Sequence, residues 1–138
     1  MKKEALQTYM RQCEALAVKA GTKGNTPVGC IIVRNDKVIA AAEEATKTKE
    51  DVSCHAEMEA IRQARKKLGK DLSGAVLIST KEPCVLCGYA IRFHGIHTVV
   101  YKDEVSHLGG VTGPFPILTT TEVPETWPPP INIVHFEE

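Results

Sequence analysis

The sequence predicts an α/β fold in which helices cover a central sheet. Its 138 residues are enough for one domain with a substantial core. The composition, 43% apolar and 25% charged, is that of an ordinary globular protein. From residue 55 onward, segments with helical periodicity alternate with short apolar segments of strand type. Such alternation is typical of crossover connections in an α/β sandwich.

The first part of the chain predicts one helix and one hairpin. In residues 3–20 apolar side chains recur at three- and four-residue steps, as in an amphipathic helix, and Gly21 is predicted to end it. Residues 28–33 are rich in β-branched side chains and predict a strand. A turn at 34–37 and an apolar segment at 38–42 complete the hairpin.

The second part alternates helices with strands. Residues 55–68 predict a helix with Ser53 as its N-cap, since a serine hydroxyl accepts hydrogen bonds from free N–H groups. Residues 75–80 are nearly all apolar, which predicts a strand buried on both faces. The remaining predicted elements are a helix at 84–94, a strand at 97–101 and a last strand at 131–136.

Residues 103–130 are predicted to be irregular. They hold three glycines and most of the prolines of the chain. Loops this long in compact domains are usually functional lids or disordered. We interpret this segment as a lid, with one helical turn near Ile117 and Leu118.

The charge distribution favours a soluble protein with a small partner. The formal net charge is zero, and every lysine and arginine lies at or before Lys102. Only acidic charges follow, which disfavours a polyanion, so we expect no nucleic-acid partner. The basic run from Arg62 to Lys70 is the one opposing feature, and we interpret it as a solvated helix face. No membrane-length apolar run or secretory signal is present, and we expect a cytoplasmic protein.

The five cysteines indicate metal binding rather than disulfides. Cys84 and Cys87 form a C-x-x-C motif with a histidine upstream, a pattern that suits a metal site in a reducing compartment. The other three, Cys13, Cys30 and Cys54, are interpreted as buried small residues.

Two motifs carry the predicted chemistry, His55-Ala56-Glu57 and Pro83-Cys84-Val85-Leu86-Cys87. His55, Cys84 and Cys87 are three good zinc ligands, and three protein ligands leave a fourth position open, as in catalytic zinc sites. Both motifs open predicted helices, whose N-termini favour thiolates. Glu57 is the candidate catalytic residue, a carboxylate that moves protons between water and substrate.

The H-x-E…P-C-x-x-C pattern resembles the signature of zinc-dependent deaminases. The chain is similar to the cytidine/deoxycytidylate deaminase superfamily over residues 1–136, especially to guanine deaminases, tRNA adenosine deaminases and fungal-type cytosine deaminase. The resemblance implies one deaminase domain over residues 1–138 with a three-layer α/β/α fold and a central five-stranded mixed sheet. It also implies Zn²⁺ as the cofactor and a homodimer.

The same resemblance suggests substrate-binding positions. Pro27-Val28-Gly29-Cys30 matches a P-x-G-A stretch on the first strand, which places Val28 at the substrate, and the backbone at Ala56 is expected to hold a substrate carbonyl. Family members carry an asparagine eleven residues before the zinc histidine, where this chain has Glu44. A carboxylate only accepts hydrogen bonds, so Glu44 favours a base with adjacent N–H donors, as in guanine. The alternative is that Glu44 belongs to a solvated loop.

Aromatic residues and the other histidines are less informative. Phe115 and Trp127 are candidates to stack on a flat ring or to cover a dimer contact, although core or interface packing is the more common role for either one alone. The histidines outside the metal pattern are expected to have surface or core roles, and His107 is the least settled because it lies in the predicted lid.

The leading prediction is a hydrolytic deaminase of a free heterocyclic base or small nucleoside, with a guanine-like purine favoured. Cytosine deaminase and tRNA adenosine-to-inosine deaminase are the alternatives within the superfamily. Against the tRNA alternative, the chain stops after its last predicted strand, where tRNA deaminases usually continue into a helix. A zinc-stabilised binding protein without activity is the alternative from another class, and the presence of Glu57 argues against it.

Overall fold

The protein consists of three helices and five strands in a computed structural model that describes all 138 residues. In chain order the elements are α1 (Lys3–Thr22), β1 (Gly29–Arg34), β2 (Lys37–Glu43), α2 (Ala56–Leu68), β3 (Val76–Lys81), α3 (Val85–Phe93), β4 (Thr98–Asp103) and β5 (Asn132–His135). The sheet order is β2-β1-β3-β4-β5. β1 runs antiparallel to β2 and β3, whereas β3, β4 and β5 are mutually parallel. The predicted five-stranded mixed sheet is therefore confirmed.

Helices cover both faces of this sheet. On one face, Met10 and Cys13 of α1 pack against Ile31 and Ile78. On the other face, α2 and α3 bury a larger cluster that includes Ala60, Ala64, Ile91, Ile32 and Leu77. The predicted three-layer α/β/α arrangement is confirmed, and α2 and α3 share one side of the sheet. No helix in the structure combines the length and the apolar character needed to cross a membrane.

Gly29 permits the close packing of α1 on the sheet. A Cβ atom at this position would lie 2.7 Å from the Leu16 Cβ and 2.9 Å from the Ala17 nitrogen. These separations are too short for carbon and nitrogen atoms, so the helix can approach β1 only because residue 29 is a glycine. The neighbouring thiols of Cys13 and Cys30 are fully buried, as predicted.

The start of α2 differs from the prediction. His55, rather than Ser53, occupies the N-cap position, with an extended backbone at φ −64° and ψ 155°. The Ser53 hydroxyl instead donates to Asp51 at 2.7 Å and accepts from Arg62 at 2.9 Å. Competition from these neighbours draws Ser53 away, so the Ser53 prediction is wrong and the helix begins one residue later than expected.

Residues 104–131 contain no regular helix, and one turn at Pro116–Thr120 matches the predicted helical turn. One side chain of α3 makes three hydrogen bonds to this segment. Arg92 is 1% exposed, and its guanidinium donates to the carbonyl oxygens of Pro128 at 3.0 Å, Ile117 at 2.9 Å and Thr120 at 2.7 Å. No carboxylate pairs with it. The buried charge is compensated by the three carbonyl oxygens and by the face of the Trp127 ring, whose centroid lies 5.9 Å from the guanidinium carbon.

Arg92→Met is expected to lower the free energy of unfolding by about 2–4 kcal/mol, because three buried carbonyl oxygens lose their donor. Urea unfolding followed by circular dichroism measures this change. Arg11→Met is the matched control, since Arg11 is exposed on α1. Equal stability of the two variants would contradict the role assigned to Arg92.

Candidate active site

The candidate site lies at one edge of the sheet, where several elements meet. Glu43, at the end of β2, pairs with Gly29 at the start of β1, and Cys30 pairs with Ser79 near the end of β3. The ends of β3 and β4 are also adjacent at this edge. Because α2 and α3 lie on the same face, their N-termini meet above this edge.

Three side chains converge between the two helix N-termini. His55 and Cys84 are the N-cap residues of α2 and α3, and Cys87 lies in the first turn of α3. The His55 Nδ1 atom is 3.4 Å from the Cys84 Sγ and 3.3 Å from the Cys87 Sγ, and the two sulfur atoms are 3.8 Å apart. These are the three side chains that the two sequence motifs single out.

The spacing of these atoms fits a tetrahedral zinc ion. Zinc–sulfur bonds of about 2.3 Å and zinc–nitrogen bonds of about 2.1 Å place tetrahedral ligand atoms roughly 3.6–3.8 Å apart. The observed separations differ from these values by at most a few tenths of an ångström. An imidazole and two thiols are also the donor types that zinc prefers. The residues present therefore fit the metal without rearrangement of the backbone.

Hydrogen bonds within the cluster shift the pKa values of all three side chains. The hydrogen bond between the two thiols lowers the pKa of Cys84 to about 4, and the same bond, together with burial, raises the pKa of Cys87. The hydrogen bond with Cys84 raises the pKa of the His55 imidazole. Cys84 is thus a thiolate at neutral pH, whereas Cys87 must release a proton when a metal binds.

Glu57 lies in the first turn of α2, directly beside this cluster. Its carboxyl is 4% exposed, and burial raises its pKa to about 7. A carboxyl poised near neutrality can both accept and release a proton. A divalent cation at the cluster would draw this pKa down again, because it favours the charged form.

One cavity of about 280 Å³ joins these groups. Its lining is formed by Thr26, Val28, Glu44, His55, Glu57, Lys81, Glu82, Cys84, Val105 and His107. The structure therefore brings the sequence-predicted positions Val28 and Glu44 together with the cluster. Ala56 is fully buried and is not among the residues that line the cavity, so a substrate contact of its backbone stays a prediction.

Glu44 is a buried residue that lines this cavity, and it is not part of a solvated loop. It is 6% exposed, and its Oε1 atom accepts hydrogen bonds from the Thr46 backbone N–H at 2.6 Å and hydroxyl at 2.8 Å. The adjacent Glu43 points elsewhere and pairs with Lys19 and Lys23. These contacts leave the second oxygen of Glu44 without a partner in the protein.

Phe115 does not reach the cavity. It is 62% exposed and lines a separate surface cavity with Val85 and Ile117. Pro114 and Pro116 restrict the backbone on both sides of Phe115. Trp127 packs against Tyr89, with ring centroids 4.9 Å apart, and so has a packing role.

Sequence reasoning missed two cavity residues with charged side chains, Lys81 and Glu82, and it left His107 open. Glu82 is 2% exposed. Burial opposes its charge, but hydrogen bonds from Thr112, Val111 and Val105 outweigh burial and hold its pKa below the usual range. Most of these donors are backbone N–H groups, which every residue type except proline carries, so no residue pattern could indicate them.

Comparison with known proteins identifies related sequences. The sequence profile described as "Cytidine and deoxycytidylate deaminase zinc-binding region" matches residues 3–103. A tRNA-specific adenosine deaminase of Aquifex aeolicus is 39% identical over 103 residues, which are 74% of this chain and 68% of that protein. The tRNA-specific adenosine deaminase of Bacillus subtilis is 38% identical over 108 residues, or 78% of this chain and 66% of that protein. This chain thus aligns with about two thirds of each of these curated relatives.

Superposition on solved structures also finds deaminases. A chain from work on A-to-I editing by tRNA:A34 deaminases superposes with a TM-score of 0.83 at 30% identity, covering 92% of this chain and 97% of that chain. A guanine deaminase from Bacillus subtilis superposes with a TM-score of 0.69 at 33% identity, covering 75% and 66%. The likeness in fold therefore extends over most of this chain.

Cys87→Ser is expected to lower zinc content to about a tenth of wild type or less after dialysis, because the cluster loses a thiolate ligand. Atomic emission spectroscopy measures zinc per chain. Cys54→Ala is the matched control, since Cys54 is a buried free thiol outside the cluster. Full zinc content in Cys87→Ser would show that the ion binds elsewhere.

Proposed function

Because this chain belongs to the cytidine and deoxycytidylate deaminase family, whose members are zinc-dependent hydrolytic deaminases, we propose that it deaminates a nucleobase at the site of His55, Cys84 and Cys87. One observation carries the proposal. The buried carboxyl of Glu57 lies beside the three ligands and opens on the same cavity. A purely structural zinc site needs the ligands but no such carboxyl, so the arrangement argues against a protein that only binds.

The side chains of this protein account for the proton transfers. When bound, zinc supplies a Lewis acid that makes water a better nucleophile at neutral pH. Glu57 accepts a proton from the attacking water and delivers it to the ring nitrogen of the base. The new bond joins the water oxygen to the ring carbon. Glu57 then passes the second water proton to the amino group. The carbon–nitrogen bond breaks, ammonia is released, and the ring carbon becomes a carbonyl.

The first candidate substrate is an adenosine in tRNA, deaminated to inosine. The names of the curated relatives support it, and they speak against the expectation that this protein has no nucleic-acid partner. A basic cleft beside the site offers further support. It is lined by Lys49, Asp51, Cys54, Glu59, Arg62, Gln63, Arg65 and Lys66. Glu59 pairs with Lys49 and Arg62, so Arg65 and Lys66 stay available to phosphate groups.

The second candidate is a free guanine-type base, and Glu44 favours it. Its carboxylate can only accept hydrogen bonds. Guanine offers adjacent N–H donors at N1 and its 2-amino group. Deamination of guanine removes its 2-amino group, so N1–H is the neighbouring donor that persists. In adenosine the only N–H donor of the base is the amino group that is removed, and its free ring nitrogens are acceptors. A cavity wall where Glu44 only accepts hydrogen bonds therefore suits guanine better than adenosine.

Other features remain predictions. The homodimer, the cytoplasmic location and the extent of the domain over residues 1–138 rest on resemblance and composition. The exposed side chains of Leu86, Tyr89 and Phe93 on the outer side of α3 provide an apolar surface on which a partner subunit is expected.

Glu57→Gln is expected to keep the fold and the zinc content but to lower kcat on the order of 10³-fold, since an amide cannot shuttle protons. Ammonia release measures turnover on guanine, adenine, cytosine, their nucleosides and a tRNA anticodon stem-loop. Glu4→Gln, the same change at an exposed position on α1 that lines neither the cavity nor the basic cleft, should keep activity. Undiminished turnover by Glu57→Gln would exclude the proposed role.

Glu44→Asn is expected to separate the two candidate substrates. If a guanine-type base is the substrate, kcat/KM for that base falls about 10–100-fold, because a charge-assisted hydrogen bond is lost. Glu43→Asn is the matched control, because Glu43 points away from the cavity. Higher activity of Glu44→Asn on the stem-loop, with no loss on guanine, would favour the tRNA candidate instead.

A further inference from the structure

We propose that Glu82 is a positioning residue that fixes one wall of the cavity by anchoring residues 105–112 through its carboxylate. The inference rests on the proposed function in one respect, that the substrate binds in this cavity. Glu82 itself is given no part in the chemical step. It acts through the loop that it holds.

The two carboxylate oxygens of Glu82 accept four hydrogen bonds from this loop. Oε1 accepts from the Val105 N–H at 3.1 Å and the Thr112 hydroxyl at 2.7 Å. Oε2 accepts from the Val111 N–H at 2.9 Å and the Thr112 N–H at 2.7 Å. No cation pairs with the carboxylate. The whole accepting capacity of a buried side chain is thus directed at one segment.

The backbone of the loop is shaped around this carboxylate. A Cβ atom at Gly109 would lie 2.5 Å from the Glu82 Cδ, so the chain passes directly over the carboxylate only because residue 109 is a glycine. Leu108 has φ 53°, in the left-handed region that residues with a side chain rarely adopt. Such a conformation persists only when surrounding contacts impose it. The bonds from Val105 and Val111 to Glu82 hold the chain on both sides of Leu108, and the Val85 N–H bonds the carbonyl of Leu108 itself.

The anchored loop is also the wall of the cavity. Val105 and His107 line the cavity together with the residues of the zinc cluster. The same loop is bonded to the chain around Cys84, since Val85 donates to the Leu108 carbonyl at 3.0 Å and Gly110 donates to the Pro83 carbonyl at 2.7 Å. Displacement of residues 105–107 would therefore change the shape of the substrate site while the metal ligands stay in place.

Glu82→Gln is the direct test. The amide group replaces one acceptor by a donor that faces N–H groups, so the loop loses its anchor. The expected result is a KM raised about tenfold or more, with kcat within about threefold of wild type and zinc content unchanged. Glu104→Gln removes the same charge from an exposed position and should leave both constants unchanged. A lowered kcat with unchanged KM would overturn the proposal.

A milder variant and a second measurement guard against a folding defect. Thr112→Val keeps the carboxylate but removes one donor, and it should raise KM by a smaller factor without lowering kcat. In Glu82→Gln, hydrogen exchange should accelerate at the amides of residues 105, 111 and 112 and stay unchanged in β3. Unaltered exchange at these amides would overturn the anchoring. Hydrogen exchange does not depend on turnover. If the wild-type protein proved inactive, the proposed function would be wrong, but the exchange measurement would still decide whether Glu82 anchors the loop.

Discussion

The architecture depends on one packing constraint, that α2 and α3 begin side by side on the same face of the sheet. This constraint brings His55, Cys84 and Cys87 within 3.8 Å of one another, although the chain between the two motifs includes a helix and a strand. It also orients the first turn of each helix toward the same cavity. Burial of the small and apolar side chains on the inner faces of both helices maintains this arrangement. The chemistry of the site is therefore a consequence of how the core packs.

Two buried charged residues organise the long segment that follows β4, and they do so without forming ion pairs. Glu82 binds backbone N–H groups at the start of the segment, and Arg92 binds backbone carbonyls nearer its end. Several backbone N–H groups compensate the charge of Glu82, and several backbone carbonyl groups compensate the charge of Arg92. A segment with most of the prolines of the chain thereby acquires a defined course without regular secondary structure. The cavity gains one stable wall from an otherwise irregular loop.

Much of the fold follows from local sequence. Periodicity located every helix and strand to within about two residues, because burial on one face leaves a mark on neighbouring positions. The motif spacing likewise placed the metal cluster and Glu57. Contacts between distant residues were not predictable in this way. The Ser53 hydroxyl bonds to Asp51 and Arg62 instead of capping α2, and Phe115 lies outside the cavity. Glu82 meets donors 23 to 30 positions away. The substrate is likewise not predictable from local sequence, because it depends on which substrate atoms face Glu44.

The proposed deamination requires an open zinc site between two helix N-termini, and X-ray absorption at the zinc edge of the metal-loaded protein tests for it most directly. Such a site predicts two sulfur ligands at about 2.3 Å and two lighter ligands at about 2.0–2.1 Å, one of them an imidazole and the other not supplied by the protein. Three or four sulfur ligands would mean that Cys54 or Cys30 closes the site. No sulfur ligand at all would place the metal elsewhere. Either result would contradict an open site formed by His55, Cys84 and Cys87.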